Sequence, residues 1–232
     1  MIHNVGYKLY LADVLYHDHA VEKQSQELRA TVLLRVKGMA RLSEFRDLGI
    51  TAATLSRMVD KGSVLRLGRG LYQLADAELD ANHTLAEAVK FVPKGVVCLA
   101  SSLAYHELTD TIPARVWLAI GSKDRQPSIS SIPLQFVRFG SKVLHVGVQA
   151  HLIEGVSVRI YCPAKTVVDL FRYRQSEGRR YQNSPGPNLA IEGLREALKT
   201  RKATPAEISA FAQEAGVWKI VQPYLEAMIS DA

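Results

Sequence analysis

Apolar residues recur with a helical period in the first third of this chain and then switch to strand-like alternation. In residues 25–36, Leu28, Val32 and Leu33 share one helical face, Arg29 and Arg35 lie elsewhere, and Gly38 stops the pattern. Residues 42–48 place Leu42, Phe45 and Leu48 at helical spacing, with Met39-Ala40-Arg41 opening this second element. Gly49-Ile50 reads as a tight turn. Thr51 is a candidate N-cap for a third helix that runs to Lys61, buries Leu55, Met58 and Val59, and ends at Gly62. Residues 63–67 alternate like a strand, Gly68-Arg69-Gly70 turns, and Leu71-Tyr72-Gln73-Leu74 runs back. Helix, helix, turn, helix, hairpin is the order of a winged helix-turn-helix, predicted over residues 25–75.

Residues 76–82 are polar and largely acidic and predict a linker. Beyond it, residues 83–232 predict a larger mixed α/β domain that ends in helices, so the fold class of the whole chain is α+β. Leu85, Ala88 and Val89 mark a helix over 83–91, and Val96-Val97-Cys98-Leu99 a strand. A helix from Ser101 or Ser102 to Leu108 and a buried strand over 115–120 follow, then a polar loop over 121–131 that carries Lys123 and Arg125. Residues 134–139 alternate as a strand, and residues 148–153 and 156–161 flank Glu154-Gly155 as a hairpin. Pro163 opens a helix that extends to about residue 174. Residues 175–188, rich in Gly, Pro, Ser, Asn and Arg, predict a mobile loop. Helices over 189–199, 204–215 and 217–229 close the chain, the middle one opened by a Thr204-Pro205-Ala206-Glu207 capping box. Residues 1–24 show no clear period and form an N-terminal extension; His17-Asp18-His19 within it lacks the further ligands a metal site needs.

Charge sharpens the reading of the first domain. Residues 25–74 hold nine Lys and Arg against four acids, a net +5, out of +6 for the whole chain. A basic module on a near-neutral body suits phosphate-backbone binding. In a major groove, the third helix would present its N-terminal and outward residues, among them Ala52, Ala53, Thr54, Ser56 and Arg57. Arg57 suits a bidentate contact to guanine, worth roughly 1–3 kcal/mol of discrimination. Thr51 and Thr54 suit phosphate or thymine-methyl contacts. Lys61 and Arg66 are candidate phosphate ligands, as is Arg69, which its two flanking glycines allow to follow the backbone or enter a minor groove. Lys61, like Arg46, reads equally well as a solvated helix charge, and a fold of this kind used for protein contacts stays open.

Four blocks carry a family resemblance. They are Arg66-Leu67-Gly68-Arg69-Gly70-Leu71-Tyr72; residues 95–110, with Ser102-Leu103-Ala104-Tyr105-His106-Glu107-Leu108; residues 112–120, with Pro113-Ala114-Arg115-Val116-Trp117; and residues 158–171, with Pro163-Ala164-Lys165-Thr166-Val167-Val168-Asp169. In this order they resemble the AbiEi family of antitoxins over roughly residues 27–225. The resemblance implies a cytoplasmic, DNA-binding transcriptional repressor. It would bind inverted repeats in double-stranded DNA of its own promoter and oppose a nucleotidyltransferase-like toxin through the C-terminal domain, which would also help to bind DNA.

Other chemistry in the second domain reads weakly. Lys165 and Asp169 share a helix face at four-residue spacing, as an ion pair, a buried polar anchor or part of a site with His106, Glu107 and Asp110. Lys165, Asp169, Arg172, Arg179 and Arg180 form a candidate partner or second DNA surface. The strand over 156–161 carries no acid, so the paired carboxylates of a metal nuclease are missing there. Cys98 and Cys162 lack CxxC spacing and read as buried free thiols. The sequence therefore predicts no enzyme, cofactor or metal. No apolar run approaches the roughly 20 residues of a membrane helix. The alternatives are a winged-helix regulator without a toxin partner and a DNA-acting enzyme.

Overall fold

A computed structural model describes residues 25–129, 131–173 and 186–230. They divide into two compact units, one ending at Glu78 and the other beginning at Leu79.

In the N-terminal unit, α1 (Gln26–Lys37) is capped by Ser25, whose hydroxyl accepts the Leu28 N–H at 3.2 Å, and ends at Gly38 with φ +65°. There follow β1 (Met39–Arg41), α2 (Leu42–Asp47), α3 (Ala52–Asp60), β2 (Val64–Gly68) and β3 (Leu71–Leu74). Residues 39–41 do not merely open a helix. They form an antiparallel strand on β3, with Met39 opposite Gln73 and Arg41 opposite Leu71. The sheet order is β1-β3-β2, so β3 is central and all four of its residues are buried. The edge strand β2 bulges between Arg66 and Gly68 and exposes both Leu65 and Arg66, which breaks the simple alternation expected for it. Leu34, Phe45, Ile50, Leu55 and Val64 fill the core between helices and sheet. Each such buried side chain contributes about 1.5–3 kcal/mol.

The C-terminal unit holds α4 (His83–Phe91), β4 (Val96–Val97), α5 (Leu99–Tyr105), β5 (Val116–Gly121), β6 (Leu134–Phe139), α6 (Ser141–Leu144), β7 (Val148–Ile153), β8 (Val156–Tyr161), α7 (Pro163–Tyr173), α8 (Pro187–Lys199), α9 (Pro205–Glu214) and α10 (Trp218–Ser230). Its mixed sheet has the order β6-β5-β4-β8-β7. The β5–β6 and β4–β8 pairs are parallel; β4–β5 and the β7–β8 hairpin are antiparallel. Helix α5 starts at Leu99, two to three residues earlier than the sequence suggests, with Leu99 at φ +47°. Residues 164–171 of α7 are all buried, because the helix packs against α5, α8 and α9 at once. Where α8 meets α5, a Cβ on Gly193 would sit 2.7 Å from Leu103 Cδ1, so any larger residue there would force the buried Leu103 side chain to shift.

The two largest resemblance blocks meet at one atom. The Tyr161 carbonyl oxygen lies 3.0 Å from Ser102 Oγ, 2.7 Å from His106 Nε2 and 3.3 Å from Thr166 Oγ1. The two hydroxyls are also 2.7 Å apart, so one donates to the other and the second joins His106 in donating to the carbonyl that ends β8, tying α5 and α7 to the end of this inner strand.

Candidate nucleic-acid interface

The turn between α2 and α3 is held by main-chain bonds. Gly49 N–H donates to the Arg46 carbonyl and Ile50 N–H to the Phe45 carbonyl, each at 2.9 Å, with Gly49 at φ +67°. Ile50 is buried beneath it, and Arg29 Nη1 donates to the Leu48 carbonyl at 3.1 Å. The start of α3 is then fixed to α1. Thr51 caps it by accepting the Thr54 N–H, and Gln26 Oε1 accepts the Thr51 N–H at 3.0 Å and the Thr54 hydroxyl at 2.7 Å. No local signal in the sequence marks Gln26 for this role, since the bond spans two helices.

Helix α3 presents a two-sided pattern. Thr54, Leu55 and Met58 are buried; Ala52, Ala53, Ser56, Arg57 and Asp60 are exposed. Thr54 is only 1 % exposed, so the structure removes it from the outward contacts predicted for it. Its hydroxyl is satisfied inside the unit, which is what permits a polar residue there. Thr51 is exposed but committed to its cap and to Gln26. Arg57 is exposed, with Nη2 donating to Thr54 Oγ1 at 3.2 Å and the rest of the guanidinium fork left over.

Ion pairs remove several cations from the basic excess. Lys61 Nζ lies 2.9 Å from Glu27 Oε1, which with the Lys61 hydrogen bond holds the Glu27 carboxyl below its usual range. Lys37 pairs with Glu44 at 2.7 Å, and Arg35 with Asp76. Arg46 and Arg69 are exposed with no ion-pair partner among the described residues, and Arg66 reaches only the Gly68 carbonyl at 3.4 Å. Arg69 sits at the hairpin tip beside Gly70, at φ +69°. The free charge therefore lies on α2, α3 and the β2–β3 hairpin.

The second candidate surface comes apart. Lys165 and Asp169 are 5 % and 1 % exposed and form a bidentate pair at 2.9 and 2.7 Å. The Lys165 ammonium lies 5.0 Å from the Phe139 ring centroid and 4.7 Å from that of Tyr161. A buried pair capped by two rings cannot meet a partner, so these two residues are a core anchor. Arg172 is exposed on the same helix, whereas Arg179 and Arg180 lie outside the described residues, as does most of the predicted 175–188 loop. Residues 1–24, with His17 and His19, also lie outside them. His106 is buried on the Tyr161 carbonyl, Glu107 pairs with Lys202 at 2.9 Å, and Asp110 is exposed, so the imagined site with Lys165 and Asp169 is divided among separate structural duties. Among the described residues, no group of three His, Cys, Asp or Glu could hold a metal. Cys98 is buried, but Cys162 is only half-buried at the start of α7.

Residues 30–75 match the model of a family described as transcriptional regulator, AbiEi antitoxin. The resemblance read from the sequence is thus supported over this segment, which contains α2, α3, β1, β2, β3 and the first of the four blocks; the other three blocks lie beyond it. The crystal structure of the RV2827C protein from Mycobacterium tuberculosis is similar in fold, with a TM-score of 0.57 over 88 % of this chain and 78 % of that one, at 11 % identity. No curated protein sequence matches the chain. No helix among the described residues is long and apolar enough to cross a membrane.

Proposed function

We propose that the N-terminal unit is a winged helix-turn-helix that binds double-stranded DNA, and that the protein is an antitoxin which represses its own operon. The observation that carries this reading is the exposed face of α3, where Ala52, Ala53, Ser56 and Arg57 stand outward while Gln26 and the Gly49 turn hold the helix rigidly. Small residues at the helix start allow close approach to base edges, and one arginine supplies a specific contact. Arg69 on its glycine-flanked hairpin supplies a phosphate or minor-groove contact beside it. The DNA-facing set is Thr51, Ala53, Ser56, Arg57, Arg66 and Arg69, with Lys61 contributing after release from Glu27. The family description of residues 30–75 supports transcriptional regulation. Opposition to a nucleotidyltransferase-like toxin through the C-terminal unit extends the proposal along the same resemblance.

The test is binding of the purified chain to DNA from upstream of its own gene, against a scrambled duplex, across a salt series. Specific binding that falls steeply with salt is the expected result. Equal, weak binding to both duplexes overturns autoregulation at that promoter and leaves the hairpin and α3 as a protein-contact surface.

A further inference from the structure

The carboxyl ends of β5 and β6 lie side by side, with Gly121 opposite Phe139 in a parallel register. In sheets covered by helices, ligands bind in crevices outside the carboxyl ends of parallel strands. Here the crevice is a cleft of about 610 Å³, within the size range of small-molecule sites. Its walls carry the cations Lys94, Lys123 and Arg159, together with His145 and the hydroxyls of Ser122 and Ser141.

The cleft is built, not merely charged. Arg138 Nη1 donates to the carbonyls of Gly121, Ser122 and Asp124 at 3.1, 3.0 and 2.9 Å, so one guanidinium gathers the whole turn after β5. Asp124, the only acid in the wall among the described residues, accepts the Gly121 N–H at 2.9 Å and closes the same turn. Its other oxygen lies 3.9 Å from Lys94 Nζ, a lysine that is 83 % exposed. Across the cleft, Arg159 Nη2 donates to the Pro93 and Gly95 carbonyls at 2.9 and 3.3 Å and holds the turn that carries Lys94. Lys123 and His145 have no hydrogen-bond or ion-pair partner among the described residues, nor does the neighbouring Lys142 on α6. Positive groups are therefore gathered around a concavity with little to neutralise them, which concentrates anions there.

We propose that this cleft binds a small phosphorylated ligand through its phosphate groups. Lysines and hydroxyls on a rigid turn match phosphate oxygens, which accept several charge-assisted hydrogen bonds at once. Among the described residues no Phe, Tyr or Trp lines the cleft, and its cations and hydroxyls outnumber the single imidazole of His145, so the phosphate is what it recognises. A single, engaged carboxylate makes it unsuited to a divalent cation. The site is independent of the DNA-binding reading and lies wholly within the C-terminal unit.

The test is calorimetry on the full chain with pyrophosphate, tripolyphosphate and ATP in metal-free, low-salt buffer. The Arg57→Ala/Arg69→Ala variant is run alongside, so that anions on the N-terminal unit are excluded. Binding is expected in both proteins. It should weaken by about tenfold or more in Lys94→Ala/Lys123→Ala, where two charge-assisted contacts are lost, while circular dichroism stays unchanged because both side chains are exposed. Tripolyphosphate and ATP should bind alike. Three results overturn the proposal: no binding at millimolar ligand, equal binding by the lysine variant, or displacement of pyrophosphate by a short duplex in the Arg57→Ala/Arg69→Ala protein. The last would make the cleft a DNA-backbone surface.

Discussion

Gln26 Oε1 accepts the Thr54 hydroxyl at 2.7 Å, so the first turn of α1 holds the first turn of α3 through a bond that is buried at its α3 end. The same oxygen takes the Thr51 N–H, one of the helix-start donors that would otherwise go unsatisfied. Gln26→Ala removes the acceptor shared by Thr51 and Thr54 and leaves the Thr54 hydroxyl only the Thr51 hydroxyl, 3.0 Å away, to donate to. A loss of about 1–2 kcal/mol in stability is expected, with weaker DNA binding because α3 is no longer held at one angle. Gln26→Glu keeps an acceptor and should retain most of both. Urea denaturation of the two variants measures this; equal stability of Gln26→Ala and the parent would show that the bond positions nothing.

Arg57 and Arg69 should fail in different ways. Arg57 stands on the exposed face of α3, so Arg57→Ala should cost about 1–3 kcal/mol on the preferred sequence and flatten the preference between sequences. Arg69, on the hairpin tip, should weaken all duplexes about equally and lower the salt slope by about one ion. Lys61, already paired with Glu27, should change the slope less than Arg69 does. Titrations of both duplexes over a salt series separate these outcomes, and matching behaviour of Arg57→Ala and Arg69→Ala would remove base readout from α3.

What was legible in the sequence was what local chemistry decides. The Thr51 cap, the Gly38 and Gly62 stops, the Glu154-Gly155 hairpin and the Thr204–Glu207 capping box all stand where their residues place them. What escaped depends on partners far along the chain. Residues 39–41 are a strand only because Leu71, Tyr72 and Gln73 return beside them. Thr54 reads as an outward polar residue until Gln26 is seen to satisfy it. Lys165 and Asp169 read at helical spacing as an ion pair, a buried polar anchor or part of a site; Phe139 and Tyr161, from two strands, close over the ammonium and decide for the buried anchor. The anion cleft draws on turns at 93–95, 121–124 and 140–145, and no single stretch announces it.

The Lys165–Asp169 pair predicts a contrast between single and double replacement. Burial pushes the Asp169 carboxyl up, and Lys165 pulls it back down. Lys165→Met leaves that carboxyl buried without its cation and should cost about 3–5 kcal/mol. Lys165→Met/Asp169→Leu, which removes both charges, should recover most of that loss. Chemical denaturation of the two variants decides the matter; a double variant as unstable as the single one would mean that α7 needs the charges themselves.

His106 predicts how the C-terminal unit responds to acid. Burial holds its imidazole below the ordinary 6.5, with the neighbouring His151 and Lys202 acting in the same direction and the Tyr161 carbonyl opposing them. As pH falls through 6.5 the unfolded chain takes up a proton that the folded chain resists. The stabilisation is thus fully present above 6.5 and is lost as pH drops toward the folded value, with a slope of at most about 1.4 kcal/mol per pH unit from this group. Glu87, whose carboxyl burial raises above 4.5, acts in the opposite sense at lower pH, so a variant is needed to isolate the imidazole. His106→Gln retains a donor for the Tyr161 carbonyl but cannot titrate. Its unfolding free energy between about pH 7.5 and 5.5 should vary less than that of the parent; parallel curves would show that His106 takes up its proton equally well in the folded and unfolded chains.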